Sequence, residues 1–230
     1  MLTLFRAFLA IPILLLSACA STQRVSHEVI QRAARHELLD VASICPHTAI
    51  ELRYQTAKNV TWQPVYPKDM PCLLYVSTMT KLQQAQAMFL AQGYRLKIFD
   101  AWRPPEVQRT LFEHGSYTNM FTDPSIMWSK HCSGVAVDVT LLDKQGRELK
   151  MPSPYDDGGA QAAAIYTGDD PEVRRNLNLL QTVMAQCGFN SLDIEWWHFG
   201  DADFENAPPP PIVYASELGI VLPVVKKKVR

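Results

Sequence analysis

The chain has 230 residues, a formal net charge of −1 at pH 7, 47% hydrophobic residues and 20% charged residues. These values are typical of a globular protein, and the length suits one domain with an ordinary hydrophobic core. The near-neutral charge argues against nucleic acid as the main partner, because binding to phosphates requires a basic surface.

The N-terminal residues have the pattern of an export signal. Arg6 supplies a positive charge, residues 7–16 form an apolar stretch too short for a comfortable membrane span, and small residues precede Cys19. This pattern predicts a bacterial lipoprotein signal peptide over residues 1–18, lipidation of Cys19 and a tether over residues 19–26. The alternative is an ordinary signal peptide cleaved near Ala20. A lipoprotein would be anchored to a bacterial membrane, with its domain in the periplasm.

Hydrophobic periodicity and breaker residues predict the elements of the domain. In chain order they are a helix over 25–39, a strand over 50–54, an ordered loop over 59–71, a helix over 77–92, a strand over 94–99, a helix over 104–115, a strand over 135–142, a long loop over 151–168, a helix over 171–187 and an aromatic-rich strand over 194–199. Ser77 and Thr78 are candidate caps, and Gly93 ends that helix.

The order of these elements predicts the fold class. Helices and strands mix without regular βαβ alternation, which favours a small single α+β domain with a central, mostly antiparallel sheet flanked by helices. We assign this domain to residues 27–207. Residues 208–230 begin with four prolines and end in a basic run, so we expect a loosely attached tail.

Four cysteines remain after Cys19 is set aside. In an exported protein they suggest disulfides, and four cysteines allow three pairings. We favour Cys45–Cys72, because both flank one compact block, which leaves Cys132–Cys187. No CxxC pair is present in the sequence, so zinc ligation by cysteine is disfavoured.

The segment 129–138 reads Ser-Lys-His-Cys-Ser-Gly-Val-Ala-Val-Asp. Asp138 lies inside a hydrophobic strand, where an ionised carboxylate is costly unless it is paired or bound to a metal. His131 precedes Asp138 by seven residues, so a straight strand would place them on opposite faces. A bend or bulge at Gly134 would bring them together. The alternative is a buried Asp that bonds a turn and a His at the surface.

A second segment, Glu195-Trp196-Trp197-His198-Phe199, offers another imidazole and another carboxylate. Two His and one Asp would leave zinc a fourth position for water, and Glu195 would be the general base. The tryptophans would raise the pKa of Glu195 by excluding solvent. Glu195 and His198 have the same problem of opposite faces, so the strand should be kinked or end there. The alternative is an aromatic core strand.

Arg103 stands between a predicted strand and a predicted helix, where a side chain can reach into a cleft. A fixed guanidinium there could stabilise the oxyanion of a tetrahedral intermediate. The alternative is a salt bridge to Asp100.

The pattern SxHxxGxAxD followed by ExxH resembles the zinc D-Ala-D-Ala metallopeptidases and, within them, the VanX-type D-alanyl-D-alanine dipeptidases. Residues 51–59, residues 64–66 and the Trp102-Arg103-Pro104 turn support this resemblance, which covers roughly residues 40–205. It implies a Hedgehog/DD-peptidase-like domain with one zinc ion on the central sheet, and hydrolysis of the small D,D-peptide D-Ala-D-Ala to two D-alanines.

The resemblance also implies residue roles. The zinc ligands are His131, Asp138 and His198, the catalytic base is Glu195, and the oxyanion-stabilising arginine is Arg103. Three further residues are candidates for binding the substrate's amine or carboxylate, namely Ser129, Tyr54 and Asp156.

The sequence departs from the family pattern at two places. The family often has Arg where Ser133 stands, and its loop resembling MGTxFD appears at residues 151–156 as Met-Pro-Ser-Pro-Tyr-Asp. A membrane anchor outside the cytoplasm favours a role in peptidoglycan turnover over destruction of a cytoplasmic wall precursor. Two alternatives stay open. One is a D,D- or L,D-carboxypeptidase acting on larger muropeptides, and the other is a non-catalytic cell-wall-binding lipoprotein.

Overall fold

The computed structural model describes residues 25–115, 118 and 120–226. The predicted signal peptide, Cys19 and residues 227–230 of the basic end lie outside the described residues. The described elements are, in chain order, α1 (His27–Arg35), β1 (Leu38–Asp40), α2 (Val41–Ile44), β2 (Ala49–Ile50), β3 (Leu73–Tyr75), α3 (Val76–Ala91), β4 (Arg95–Asp100), α4 (Pro105–Gly115), β5 (Ala136–Leu142), α5 (Pro171–Gln186), β6 (Phe189–Leu192), β7 (Glu195–Asp201) and α6 (Ala215–Leu218).

A five-stranded sheet in the order β2-β4-β5-β7-β6 forms the centre of the domain. Only the β2–β4 pair of this sheet is parallel, and the other neighbouring pairs are antiparallel. A separate two-stranded sheet pairs β1 with β3. The predicted α+β class with a mostly antiparallel central sheet flanked by helices is therefore confirmed. Within the described part of the chain, none of the helices has the length and apolar character needed to cross a membrane.

The core lies between this sheet and the helices that cover it. Every residue of β5 is buried, as the near-continuous apolar run Ala136–Leu142 requires. In α3 the residues that share the predicted apolar face, Leu82, Ala85 and Phe89, are all buried. The site described below is built on β5 and β7, the best-covered strands of the sheet.

Several predicted boundaries are wrong for local reasons. The strand predicted over 50–54 is reduced to Ala49–Ile50, because Arg53–Gln55 turns into a 3₁₀ helix. Helix α3 begins at Val76 with no side-chain cap, and Thr78 instead donates a hydrogen bond to Asp201 Oδ2 at 2.7 Å. The short strands β1, β3 and β6 carry too few residues to produce a periodic signal.

The disulfide prediction is also corrected. Cys45, Cys72, Cys132 and Cys187 are all buried free thiols, so the described residues contain neither the Cys45–Cys72 nor the Cys132–Cys187 bridge. Two of these thiols pack against methionine sulfur instead. The Sγ of Cys45 lies 4.0 Å from the Sδ of Met79, and the Sγ of Cys187 lies 3.5 Å from the Sδ of Met88.

The C-terminal segment packs against the domain around residues 213–218, whereas Val221 and Val224 beyond it are exposed. Val213, Ala215 and Leu218 are buried, and α6 follows the proline run. The expectation of a loosely attached tail is wrong there. Burial of these apolar side chains against the domain is more favourable than their exposure to water.

Candidate active site and metal centre

Three side chains from two segments converge on one point. His131 Nε2, Asp138 Oδ1 and His198 Nδ1 form a nearly equilateral triangle with edges of 3.1, 3.1 and 3.2 Å. His131 and Asp138 are almost fully buried, and His198 is half-buried. The structure thus brings together the three residues that the sequence suggested as ligands.

Gly134 produces the bend that places His131 beside Asp138. The 3₁₀ turn Lys130–Ser133 carries His131 and ends at Gly134, whose φ of 71° lies in the left-handed region. A Cβ atom at this glycine would lie 2.6 Å from Leu38 Cδ2 and 3.0 Å from the Tyr75 backbone nitrogen. Only glycine therefore fits both the dihedral angle and the space. The predicted bend at Gly134 is confirmed.

An irregularity in β7 places Glu195 and His198 on the same side of the sheet. Ser191 pairs with Phe199, but the next residue of β6, Leu192, pairs with Glu195. The residues between them on β7 bulge, so the strict alternation of faces is broken. The Glu195 Oε2 atom lies 3.9 Å from His198 Nδ1. The predicted kink in this strand is confirmed.

Hydrogen bonds around the triangle fix the orientation of its members. The His131 Nδ1 atom lies 2.6 Å from the Ala101 carbonyl oxygen, and this contact orients the ring so that Nε2 faces the triangle. The hydroxyl of Tyr155 donates to Asp138 Oδ2 at 2.9 Å. Tyr155 was not predicted from the sequence, and its position in the MGTxFD-like loop is the one signal that pointed to this neighbourhood.

The triangle holds an ionised carboxylate. Burial acts against the charge of Asp138, but the imidazoles of His131 and His198 hold its pKa well below the usual range. Burial likewise acts against the charge of His198, but the hydrogen bond that its ring donates to Asp138 raises the pKa of that imidazole. The triangle therefore offers a cation one negatively charged donor.

The donor set fits a tetrahedral metal ion. Ligands bonded at about 2.0–2.1 Å around a tetrahedral centre lie about 3.3–3.4 Å from one another. The observed edges of 3.1–3.2 Å are close to this separation, so little movement would be needed. Two imidazole nitrogens and one carboxylate oxygen are also the donor types that zinc takes at sites with an open fourth position.

Glu195 lies beside the triangle without belonging to it. The residue is 6% exposed, and burial raises the pKa of its carboxyl to about 7, while His198 acts to lower the pKa and Asp138 to raise it. A bound cation would lower this pKa, because a nearby positive charge favours the carboxylate. Trp197 lines the same cavity, whereas the Trp196 indole donates away from it, to Ser153 Oγ at 3.1 Å.

Arg103 forms the salt bridge to Asp100 and also reaches the cavity, so both interpretations of this residue from the sequence apply. Its Nε donates to Asp100 Oδ2 at 2.8 Å, and its Nη1 donates to Gln108 Oε1 at 2.8 Å. Its Nη2 lies 3.6 Å from Asp138 Oδ2 at the wall of the cavity. The salt bridge to Asp100 thus holds the guanidinium in place. Asp100 and Gln108 are positioning residues. The salt bridge to Asp100 is the alternative that the sequence suggested, whereas Gln108 was not predicted from the sequence.

A cavity of about 280 Å³ lies over these groups, and its lining includes all three candidate substrate-binding residues, Tyr54, Ser129 and Asp156. The Tyr54 hydroxyl donates to Asp156 Oδ1 at 3.2 Å. The other carboxylate oxygen, Oδ2, is buried and has no hydrogen-bond partner among the described residues. Ser129 Oγ accepts the His131 backbone N–H at 3.3 Å, so it also caps the turn that carries the histidine.

Comparison with known proteins gives a consistent family. A sequence profile described as D-ala-D-ala dipeptidase matches residues 34–211. The D-alanyl-D-alanine dipeptidase of Escherichia coli is 34% identical over 71% of this chain and 83% of its own length. Proteins of the same name from a Synechocystis species and Enterococcus faecium are 24% and 25% identical, over 60% and 65% of this chain and 72% and 83% of their own lengths.

Proposed function

Because the chain belongs to the D-Ala-D-Ala dipeptidase family and is a metallopeptidase, we propose that it hydrolyses D-alanyl-D-alanine to two D-alanines with one zinc ion. The observation that carries this proposal is the triangle of His131, Asp138 and His198 with the buried carboxylate of Glu195 3.9 Å away. A donor triangle with an adjacent base is the arrangement that hydrolysis of a peptide bond requires.

The metal would be held by His131 Nε2, Asp138 Oδ1 and His198 Nδ1. When bound, zinc supplies polarisation of the substrate carbonyl and acidifies the attacking water. The remaining chemistry belongs to side chains of this chain.

Glu195 is placed to move the proton. Its carboxylate accepts a proton from the attacking water and later donates it to the nitrogen of the departing D-alanine. The low-polarity surroundings that raise its pKa also make it a stronger base than an exposed glutamate.

Arg103 is placed to stabilise the charge that develops on the carbonyl oxygen. Its Nε and Nη1 atoms are engaged by Asp100 and Gln108, so the Nη2 end is fixed at the cavity wall before substrate arrives. Such preorganised donors stabilise a transition state without reorganising during the reaction.

Asp156 is placed to bind the free ammonium group of the dipeptide. Its Oδ2 is buried and unpartnered within the described structure, and an ammonium is the partner that would satisfy it. The neighbouring Tyr54 hydroxyl holds the other oxygen. A cavity of about 280 Å³ with such an acceptor at its wall suits a small substrate with a free amine.

The cellular role that we propose follows from the N-terminal sequence. Cleavage before Cys19 and lipidation of this residue would anchor the enzyme to a bacterial membrane with its domain in the periplasm. In that compartment the peptide substrate would come from peptidoglycan turnover.

The experiment that tests this function uses the soluble protein beginning at residue 20. We expect it to release D-alanine from D-Ala-D-Ala, to lose this activity with a chelator and to regain it with zinc. Glu195→Gln should lower kcat by at least about 1,000-fold while zinc binding persists, because the base and not a ligand is removed.

Two controls separate the alternatives. Faster release of the terminal D-alanine from a muropeptide pentapeptide than from D-Ala-D-Ala would favour a carboxypeptidase. Zinc-loaded protein that cleaves neither substrate would contradict an enzymatic function and favour a wall-binding lipoprotein.

A further inference from the structure

The C-terminal segment passes directly behind the active centre. We call residues 210–218 the C-terminal strap. It begins at the end of the proline run and finishes with α6, and Val213, Ala215 and Leu218 are buried. The mechanism above uses no residue of this strap.

The strap is bonded to the turn that carries the first metal ligand. Val213 N–H donates to the Cys132 carbonyl at 3.1 Å, and Ser133 Oγ donates to the Pro210 carbonyl at 2.6 Å. Cys132 and Ser133 follow His131 directly, and both are buried. The hydroxyl that makes the shorter bond belongs to a position where the resembled family often carries arginine.

The strap is also bonded to the turn that carries Arg103. The indole Nε1 of Trp102 donates to the Val213 carbonyl at 3.2 Å, and Ala215 N–H donates to Glu106 Oε2 in the first turn of α4 at 3.3 Å. The peptide group of Val213 and its carbonyl therefore connect one turn to the other.

The two turns are joined to each other as well. Arg103 N–H donates to the His131 carbonyl at 3.1 Å, and His131 Nδ1 lies 2.6 Å from the Ala101 carbonyl. Strap, histidine turn and arginine turn thus form a closed circuit of hydrogen bonds. A closed circuit restrains the three segments more than any single hydrogen bond does. Each segment is bonded to the other two, so it cannot move without breaking the hydrogen bonds to both.

The strap has its own attachment away from the site. Val213 and Leu218 belong to the hydrophobic core. Within the strap, Glu217 accepts the Tyr214 N–H at 2.6 Å and so caps α6. The strap is therefore held in place by the core as well as by its bonds to the two turns.

We propose that the C-terminal strap is a positioning element of the active centre, acting through Ser133 and Trp102 to fix His131 and Arg103 relative to each other. This inference rests on the proposed function for the roles of those two residues. It matters because a ligand triangle tolerates displacements of only about 0.5 Å.

The test removes the two side-chain donors to the strap. Ser133 loses one oxygen, and Trp102 is replaced by a smaller aromatic ring. The variants are Ser133→Ala, Trp102→Phe and the double substitution, in the full soluble chain. The control is Thr48→Val, which removes a hydrogen bond of 3.0 Å to the buried Gln86 outside the site. The readouts are zinc Kd by chelator competition, the visible absorption spectrum of the cobalt form, kcat and KM on D-Ala-D-Ala, and Tm.

We expect the double variant to raise the zinc Kd about tenfold and to alter the cobalt spectrum, because outer-shell partners of metal ligands usually change affinity by 10–100-fold. The kcat should fall about tenfold with KM changed less than twofold. A displaced Arg103 would stabilise the oxyanion of the transition state less well, and this interaction contributes little to substrate binding. The control should leave zinc Kd, spectrum and kcat unchanged.

Zinc Kd, cobalt spectrum and kcat equal to those of the control would overturn the proposal and leave the strap a purely structural element. Ser133→Ala removes a single oxygen, so it decides the question if the double variant fails to fold. Failure of the proposed function is distinct, because the zinc Kd and cobalt spectrum report on the strap whichever peptide is cleaved. If the wild type binds no metal, hydrogen exchange at the His131 and Arg103 amides decides, and protection unchanged in Ser133→Ala overturns the proposal.

Discussion

Asp138 is the most constrained single residue of the site. Its Oδ1 faces both histidines at 3.1 and 3.2 Å, while its Oδ2 accepts the Tyr155 hydroxyl at 2.9 Å. Each oxygen thus has a separate task, so a metal bound at Oδ1 need not compete with the hydrogen bond at Oδ2. Tyr155 determines which oxygen is presented to the cation.

This division of labour predicts the effect of Tyr155→Phe. Without the hydroxyl, Asp138 can rotate and the zinc Kd should rise about tenfold. The measurement is chelator competition with the purified protein. Tyr166→Phe is the matched control, because its hydroxyl accepts the Asp170 N–H at 3.3 Å away from the triangle. A zinc Kd for Tyr155→Phe equal to that of this control would show that the hydroxyl does not orient Asp138.

Regular strand pairing brings two of the ligands together, and interruptions of the strands bring the other groups of the site to them. β5 supplies Asp138 and β7 supplies His198 as its direct cross-strand partner. On regular strands, His131 and Glu195 would lie on the face of the sheet opposite to the site. The turn at Gly134 and the bulge in β7 bring them to the site. The site therefore depends on two local departures from strand geometry.

The turn at Gly134 gives a prediction about stability. Gly134→Ala should lower the free energy of unfolding by about 2–5 kcal/mol, because the left-handed conformation costs about 1–2 kcal/mol and the new methyl meets Leu38 and the Tyr75 backbone. Denaturant unfolding measures the change. Gly146→Ala is the matched control, with φ of 79° but its nearest contact at 3.4 Å, and should cost only about 1–2 kcal/mol. Equal losses for the two variants would contradict the close-packing argument.

At the scale of the whole molecule, the domain is held together without disulfides among the described residues. Its four thiols are all buried and unbridged. Burial raises the pKa of Cys132 to about 12, so the reactive thiolate is suppressed in the native state. Stability then rests on packing around the central sheet, on the strap and on any bound metal.

Free thiols predict a specific labelling result. In the soluble protein beginning at residue 20, a thiol reagent should modify fewer than one cysteine per native molecule and four in denaturant without prior reduction. Mass spectrometry counts the labels. Labelling of two or none in denaturant, restored to four by a reducing agent, would show that bridges form after export.

The residues of the candidate site could be predicted from the sequence alone. His131, Asp138, His198, Glu195 and Arg103 carry distinctive side chains in a distinctive spacing, and the parity of strands made a bend at Gly134 and a kink near His198 necessary. The sequence also determined the fold class and the longer helices, because those elements have enough residues for their period to be visible. The short strands β1, β3 and β6 were beyond its reach for the opposite reason.

Most of the polar partners that hold these side chains can be identified only in the folded protein. The strap bonds Trp102 and Ser133 from 111 and 77 residues away, and Tyr155 bonds Asp138 from 17 residues away. Asp100 and Gln108 lie within five residues of Arg103, but only the folded backbone aims them at its guanidinium. The same holds for the four cysteines, whose number in an exported chain suggested bridges but which are free thiols in the folded protein. Such contacts depend on distances across the folded core, and no local period or motif encodes those distances.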